Sequence, residues 1–215
     1  MARNDKRLTL TCNQFMIKAI ILDLGRVIVP FDFNRAWLQI EARYGISPQE
    51  IRRRLAGTGL YDLFESGLID PPEFLRRINE LLDIQVPADE FWPIWTSIFL
   101  PETLLSDEFL ELLSSRRRLV LLSNTNIIHF EMIRSTYPLL RHFHQFVLSY
   151  ELGVMKPRPE IYLEAARAGD CKPEECFFAD DIKENVDGAL RVGIDAVQFV
   201  SASQLESELR QRGLI

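Results

Sequence analysis

Short, mostly apolar runs recur along the chain, and polar residues follow them directly. Such runs lie at residues 17–22, 119–122, 145–149, 176–179 and 196–200. Runs of this length are typical of strands that are buried on both faces of a parallel sheet. The intervening segments have helical spacing, most clearly at 126–137, 159–168 and 183–191. This alternation predicts an α/β fold, with a parallel sheet covered by helices on both faces.

Residues 33–100 show a different pattern. They have helical spacing in several short pieces, with no strand pattern, and turn signals such as Pro71-Pro72 separate the pieces. We expect a small all-helical cap, inserted after the first strand, over a core formed by residues 16–32 and 101–215. Residues 1–15 are polar and unpatterned, and we expect a disordered tail or an over-long start site there.

Composition narrows the classes of function. The 215 residues are 47% hydrophobic and 26% charged, which is ordinary for a globular protein. The net charge of −6 argues against nucleic acid as the main partner, because Lys and Arg bind phosphate backbones. We recognise no membrane-spanning stretch and no secretory signal, so we expect a cytoplasmic protein that does not bind membranes. Three cysteines without a CxxC pair argue against a zinc site. The oligomeric state stays open.

Polar motifs fall at or just beyond the ends of predicted strands. They are Asp23, Ser123-Asn124, Lys156 and Asp180-Asp181. Each alone has an ordinary explanation as a turn, a cap or a solvated loop. Ligands of open α/β sheets bind beyond the carboxyl ends of the strands. The joint occurrence of these motifs there therefore predicts a functional site.

The chemistry of these residues is consistent with phosphoryl transfer. A carboxylate such as Asp23 can attack phosphorus and form an aspartyl-phosphate. Because this step brings two anions together, the site needs cations, and Asp23 and Asp181 could share a Mg²⁺ ion. Ser123 and the backbone N–H groups of the following helix could hold phosphoryl oxygens. Lys156 would neutralise the remaining charge.

These motifs carry a resemblance to a known family. The order Asp23-Leu24-Gly25, Ser123-Asn124-Thr125-Asn126, Lys156-Pro157 and Asp180-Asp181 resembles the four motifs of the haloacid-dehalogenase-like hydrolase superfamily, over nearly all of residues 17–200. The strings DLGRVIVPFDFNRAW and FFADDIKENVDGA resemble its bacterial α-D-glucose-1-phosphate phosphatase branch. The resemblance implies a five-stranded Rossmann-like core, a helical cap that selects the substrate, Mg²⁺ as cofactor, and hydrolysis of small phosphorylated metabolites such as hexose 1-phosphates.

The resemblance also implies roles on the substrate side of the site. By motif position, Asp23 would be the nucleophile and also a metal ligand. Ser123 and Asn124 would bind the phosphate end of the substrate. Lys156 would be the cation that positions nucleophile and phosphate.

On the metal side, the backbone carbonyl of Gly25 would be a further ligand. Asp181 stands in register with the motif's first acidic ligand when counted back from Gly193, so it is the preferred metal ligand of its pair. Asp180 then braces the site. Asn185 falls where many relatives carry a second acid, and we expect it to support the site rather than to bind the metal.

Gly25 is the main departure from the superfamily pattern. Most phosphatases of the superfamily have a second Asp there, which protonates the leaving group, and a loss of such help costs about 10²–10⁴-fold. The glucose-1-phosphatase branch also has Gly at this position, which favours an enzyme. Two alternatives stay open beside the phosphatase. One is a haloacid dehalogenase-type hydrolase that attacks carbon, against which Asp180-Asp181 argues, and the other is a non-catalytic phosphate-binding or partner-binding protein.

Asp32 is the residue that could compensate for Gly25. It lies just beyond the first strand, where a carboxylate would be near a leaving group. The competing interpretation places it at the start of the first cap helix, with Arg35 as a surface partner, and we favour this one.

The remaining conspicuous side chains are interpreted as structural. The histidines, placed on or near a helix away from the strand ends, are His129, His142 and His144. Trp92, Trp95 and Phe99 recur at helical spacing, which favours packing in the core or the cap over the lining of a sugar pocket.

Overall fold

Five strands form the centre of the molecule. The computed structural model describes residues 16–215, and the tail expected at residues 1–15 lies outside the described residues. The strands are β1 (Ala19–Leu22), β2 (Arg118–Ser123), β3 (Gln145–Leu148), β4 (Cys176–Asp180) and β5 (Asp195–Gln198). They form one sheet in the order β3-β2-β1-β4-β5, and every neighbouring pair is parallel. Each strand overlaps one of the predicted runs, so the predicted α/β fold with a parallel five-stranded sheet is confirmed.

Helices account for most of the remaining described chain. Between β1 and β2 lie α1 (Asn34–Tyr44), α2 (Pro48–Leu55), α3 (Leu60–Glu65), α4 (Pro71–Leu82), α5 (Ala88–Thr96) and α6 (Asp107–Arg116). After β2 follow α7 (Ile127–Thr136), α8 (Ser149–Leu152), α9 (Pro159–Ala168), α10 (Lys183–Arg191) and α11 (Ala202–Gln211). Short 3₁₀ turns lie at Pro138–His142 and Pro173–Glu175. No helix in residues 16–215 is both long and apolar enough to cross a membrane.

The central strand shows why the sequence reads as a continuous apolar run. All four residues of β1 are buried. Ile20 and Leu22 belong to one hydrophobic layer, which includes residues of α6, α7 and α11. Ala19 and Ile21 belong to the other layer, which includes residues of α9 and α10. Because successive strand side chains point to opposite faces and both faces are covered, no position in β1 can be polar.

Helices α1–α5 pack around a separate core of their own. This cluster is rich in aromatic residues, and Phe74 and Trp95 at its centre have ring centroids 4.9 Å apart. Local signals fix the helix starts: Asp70 accepts a hydrogen bond from Glu73 N at 2.9 Å, and Pro71 occupies the first turn. The all-helical nature of this block follows from the spacing of its apolar residues.

Two chain segments join the helical block to the sheet, and they run side by side. Asp32 N donates to Ile98 O at 2.8 Å, and Leu100 N donates to Pro30 O at 3.0 Å. These backbone bonds connect the outgoing and returning segments next to the end of β1. The helical block is thereby placed beside the carboxyl edge of the sheet.

Candidate active site at the carboxyl edge of the sheet

Asp23 directly follows β1 at the carboxyl edge. Its backbone N–H donates to Ala179 O at 3.0 Å, so the chain is still paired with β4 at this point. Asp180 ends β4. The register pairs Leu22 with Ala179, and the next residue on each strand is therefore a carboxylate. Strand pairing alone brings Asp23 and Asp180 together.

Lys156 lies between these two carboxylates. Its Nζ donates to Asp23 Oδ1 and to Asp180 Oδ2, both at 2.6 Å, and to the carbonyl of Leu122 at 3.2 Å. The Lys156 side chain is 2% exposed, and that of Asp180 is 0% exposed. Each of the three ammonium hydrogens thus has an acceptor, which is what a buried cation requires.

Burial and charge act in opposite directions on this cluster. Burial lowers the pKa of Lys156, but Asp23 and Asp180 outweigh this effect and hold that pKa above its ordinary value. For Asp23, burial outweighs the opposing Lys156 ammonium, and the pKa stays above its ordinary value. Lys156 therefore stays charged, and Asp23 depends on it to remain a carboxylate.

The Asn124 side chain fixes the backbone of Lys156. Its Nδ2 donates to Lys156 O at 3.1 Å, and its Oδ1 accepts from Lys156 N at 2.8 Å. Only one amide hydrogen of Asn124 is then left for a ligand. In this geometry the side chain positions the lysine. The Ser123 hydroxyl makes a long hydrogen bond of 3.4 Å to Asn124 O, which a ligand on the loop after β2 could replace.

The carboxylate of Asp180 is fully engaged by the protein. Besides Lys156, its Oδ1 accepts from Ile182 N at 2.8 Å, and Asn185 Nδ2 lies 3.1 Å from each carboxylate oxygen. Asn185 thus contacts Asp180 directly, an arrangement that supports the acid. Asp180 in turn orients Lys156.

Three carboxylates gather at this edge. Asp23, Asp180 and Asp181 each offer an oxygen, and these oxygens lie within 4.8 Å of one another. Carboxylate oxygens are the hard ligands that Mg²⁺ prefers, so the donor set fits this ion. Burial and the neighbouring Asp180 raise the pKa of the half-buried Asp181, as expected of acids that face one another. Since Asp180 is engaged, Asp181 is the better placed of the pair to bind a metal together with Asp23.

A cavity lies between this edge and the helical block. Its walls come from the loop after β1, the loop after β2 with α7, the end of α3, and the segment after α5; the lining residues are Leu24, Gly25, Phe31, Phe33, Glu65, Ile98, Phe99, Ser123, Asn124, Thr125, His129 and Ile133. The predicted residues Gly25, Ser123 and Asn124 share this cavity. Glu65 was missed by the sequence reasoning, because a single acid at a helix end has no distinguishing local pattern.

The placement predicted for His129 is wrong in one respect. It lies in the cavity wall rather than away from the strand ends, because α7 starts directly at the loop after β2. Its structural role is nevertheless clear. Nδ1 accepts from Asn126 Nδ2 and Nε2 donates to Trp95 O, each at 3.1 Å, which fixes a neutral tautomer. Burial lowers the pKa of His129 to about 4.

The aromatic residues interpreted as structural pack in the hydrophobic cluster of the helical block, as expected. Trp95 is 1% exposed, and its ring stacks on the ring of His129 with centroids 4.9 Å apart. Trp92 packs, partly buried, against the same cluster. Phe99 also packs there, but it lines the cavity as well. Away from the site, His144 Nδ1 accepts from Leu119 N, and His142 contacts Asp107.

Asp32 supports the start of α1. Its Oδ1 accepts from Asn34 N at 2.9 Å, and the residue is exposed. The Arg35 side chain does not pair with the Asp32 carboxylate: Arg35 Nε donates to Ser97 O at 2.7 Å. The helix-start interpretation of Asp32 is confirmed, the partnership with Arg35 is wrong, and Asp32 does not line the cavity.

The chain belongs to the haloacid dehalogenase-like hydrolase family, which it matches over residues 17–193. The superfamily predicted from the four motifs is thus confirmed. The D-ribitol-5-phosphate phosphatase of Bacteroides thetaiotaomicron is 27% identical over 201 residues, which cover 90% of this chain and 97% of that protein. A glyceraldehyde 3-phosphate phosphatase of Methanopyrus kandleri is 39% identical over 69 residues, 32% of this chain and 30% of that one.

Solved structures show the same fold. A haloacid dehalogenase family enzyme of Bacteroides thetaiotaomicron, in complex with magnesium and inorganic phosphate, superposes with a TM-score of 0.74 and 29% identity, over 86% of this chain and 96% of that one. An L-2-haloacid dehalogenase of Xanthobacter autotrophicus superposes with a TM-score of 0.61 at 17% identity, over 93% and 85% of the two chains. At that identity the second likeness concerns the fold alone.

Proposed function

We propose that this hydrolase is a Mg²⁺-dependent phosphomonoesterase that acts on small phosphorylated metabolites, in particular sugar phosphates such as hexose 1-phosphates. The observation that carries the proposal is the buried Asp23–Lys156–Asp180 cluster, with Asp181 beside it. Gly25, which lies two residues after Asp23, and the loop after β2 line the neighbouring cavity. Relatives that hydrolyse sugar-type phosphates support the substrate class. Residues 33–100 serve as the cap that closes over this cavity.

Each residue has a defined task in the proposed reaction. The Asp23 carboxylate attacks phosphorus, forming an O–P bond as the bond to the leaving oxygen breaks, and water then hydrolyses the aspartyl-phosphate. Lys156 holds Asp23 in place and offsets the negative charge of the phosphoryl group. Ser123, the free amide hydrogen of Asn124 and neighbouring backbone N–H groups bind phosphoryl oxygens. Asp23, Asp181 and the Gly25 carbonyl would hold Mg²⁺, which would supply electrostatic stabilisation of the charge on the transferred group.

Two other functions compete with this proposal. A haloacid dehalogenase also attacks with a carboxylate, but at carbon, and needs no metal. The convergence of three carboxylates within 4.8 Å favours the metal-dependent enzyme. A non-catalytic phosphate-binding protein would retain Lys156 and Ser123 but would not turn over substrate.

A panel of phosphorylated metabolites, assayed with Mg²⁺ and with EDTA, tests the proposal. We expect release of phosphate that EDTA abolishes, and no release of halide from 2-haloacids. Asp23→Asn should abolish turnover with the fold intact, because an amide is a poor nucleophile. Turnover that is insensitive to EDTA, or an Asp23→Asn variant as active as the wild type, would contradict the assignment.

A further inference from the structure

The Phe31 ring lies where the side chain of an acid at position 25 would begin. A Cβ atom added to Gly25 would lie 2.9 Å from Cε1 of Phe31, closer than real Cβ atoms approach a neighbour. Phe31 is held in turn by Phe99, whose ring centroid is 6.1 Å away, and by Arg26 over its face at 4.7 Å. An acid at position 25 would therefore have to displace the Phe31 ring, and in this arrangement a proton donor for a leaving group comes from another wall of the cavity.

Glu65 supplies a carboxyl group from the opposite wall. It ends α3 in the helical block and lines the same cavity as Gly25 and Ser123. Among residues 16–215, the other ionisable side chain of the cavity wall is His129. Both ring nitrogens of His129 are already hydrogen-bonded within the protein, so it cannot serve a substrate.

The backbone at Glu65 is fastened to the loops of the core. The Ser149 hydroxyl donates to Glu65 O and accepts from Thr125 N at 2.9 Å. Two residues further on, Gly67 has φ +68°, and a Cβ there would lie 2.2 Å from Tyr150 O. Glycine permits both the conformation and the close approach. The helical block is thus docked on the core at the point where Glu65 enters the cavity.

We propose that Glu65 is the general acid and base of the reaction, in place of the acid that Gly25 lacks. The inference rests on the proposed phosphatase function and deepens it. As Asp23 attacks and the bond between phosphorus and the leaving oxygen breaks, that oxygen takes the bonding electron pair and the proton of the Glu65 carboxyl group. An alcohol, the aspartyl-phosphate and the Glu65 carboxylate result. Water then attacks phosphorus and gives a proton to Glu65, and the bond between phosphorus and the Asp23 oxygen breaks. Phosphate is released, Asp23 is again a carboxylate and Glu65 is again protonated.

The electrostatics around Glu65 suit this role. Burial, followed by the Asp62 carboxylate on the same helix, raises the pKa of Glu65 to about 8. From the core, the Lys156 ammonium lowers this pKa and Asp23 raises it. His129 faces the same cavity as a neutral ring and adds no charge. A carboxyl group that keeps its proton near neutral pH can donate it to a leaving oxygen.

Glu65→Gln tests the inference, because it keeps the shape and removes the exchangeable carboxyl proton. The substrates are p-nitrophenyl phosphate, whose leaving group needs no acid, and a hexose 6-phosphate, whose primary alkoxide does. We expect kcat on the hexose phosphate to fall by about 10²–10⁴-fold. On p-nitrophenyl phosphate, the fall should be less than about tenfold. In the wild type, kcat on the hexose phosphate should decline as the pH rises through the carboxyl pKa, and Glu65→Gln should lack this decline.

Two further variants keep the test decisive. Asp89→Asn removes an exposed carboxylate from α5 of the same helical block, outside the cavity wall, and should leave kcat on both substrates within about twofold. Glu65→Asp retains a carboxyl group. The turnover of p-nitrophenyl phosphate reports how much of each variant is folded, and relative to that turnover Glu65→Asp should hydrolyse the hexose phosphate faster than Glu65→Gln. An equal loss on both substrates, or an unchanged rate on the hexose phosphate, would overturn the role of Glu65 alone. A wild type that hydrolyses neither substrate would overturn the phosphatase function and this inference with it.

Discussion

Replacing Lys156 with methionine isolates the energetic role of the buried cation. The side chain keeps its length and flexibility, so the cavity left behind is small. What is lost are two ion pairs of 2.6 Å and a 3.2 Å hydrogen bond to Leu122 O. Asp23 and Asp180 would then face each other in a buried site without a counterion. Removal of one partner from a buried ion pair costs about 3–5 kcal/mol, and we expect a loss of this size in the free energy of unfolding at pH 8.

The loss should shrink at lower pH. Burial already raises the pKa of Asp23, and removal of the Lys156 ammonium raises it further. A carboxyl group whose pKa is higher in the folded state binds its proton there while the unfolded chain has released it, so stability falls as the pH rises. The free energy of unfolding falls in this way between the unfolded pKa of about 4 and the folded pKa, by at most about 1.4 kcal/mol per pH unit for one proton. The difference from the wild type should therefore be smaller at pH 5 than at pH 8.

Urea unfolding at both pH values, in EDTA to exclude stabilisation by bound metal, measures these differences. Lys183→Met is the matched control, because Lys183 forms an exposed ion pair with Asp187 whose loss should cost less than about 1 kcal/mol. Adding Asp180→Asn to Lys156→Met removes one of the opposed carboxylates and should restore part of the stability. A Lys156→Met protein within about 1 kcal/mol of the wild type at pH 8 would refute the reasoning.

Two other predictions concern the metal and the docking of the helical block. Asp181→Ala should raise the Mg²⁺ concentration for half-maximal activity and change the free energy of unfolding little. Asp180→Ala should lower the free energy of unfolding by several kcal/mol, because Asp180 is the buried partner of Lys156. Mg²⁺ titrations and unfolding curves separate the two variants, and equal effects of both would contradict the choice of Asp181. Gly67→Ala should cost more than Gly45→Ala in urea unfolding, although both have positive φ, because a new Cβ meets Tyr150 O at 2.2 Å in the first and nothing within 4 Å in the second. The shared backbone strain is about 1 kcal/mol, and equal costs would mean that the two surfaces are not held together.

Much of the fold follows from the sequence because the sheet is buried on both faces. Parallel strands under two layers of helices must be apolar at every position, so they are visible as short runs. Their exact ends are less visible, because pairing decides them. The run at 17–22 becomes a strand only from Ala19, where Arg118 and Cys176 begin to pair on either side. At the sheet edge, β5 is shifted relative to the run at 196–200, since only one neighbour constrains it.

The site was predictable as far as it depends on strand ends. Asp23 and Asp180 follow adjacent strands, and pairing fixes their proximity. The bonds of Asn124 to the backbone of Lys156 were not predictable, since they join loops 32 residues apart. The position of His129 in the cavity wall likewise depends on how the loop after β2 turns into α7. Such loop geometry has no periodic signal in the sequence.

The folded structure reveals a relation that the sequence does not show, between Gly25, Phe31 and Glu65. Gly25 looks like the loss of a catalytic acid, and the simplest repair would be Gly25→Asp. The Cβ of that variant would meet the Phe31 ring at 2.9 Å, so the ring would have to move to admit an acid at position 25. If the proton comes from Glu65 instead, the acid reaches the substrate only while α3 is docked on Ser149 and Tyr150. Proton transfer then requires the closed arrangement of helical block and core, and bulk solvent is kept from the site in the same state that supplies the acid.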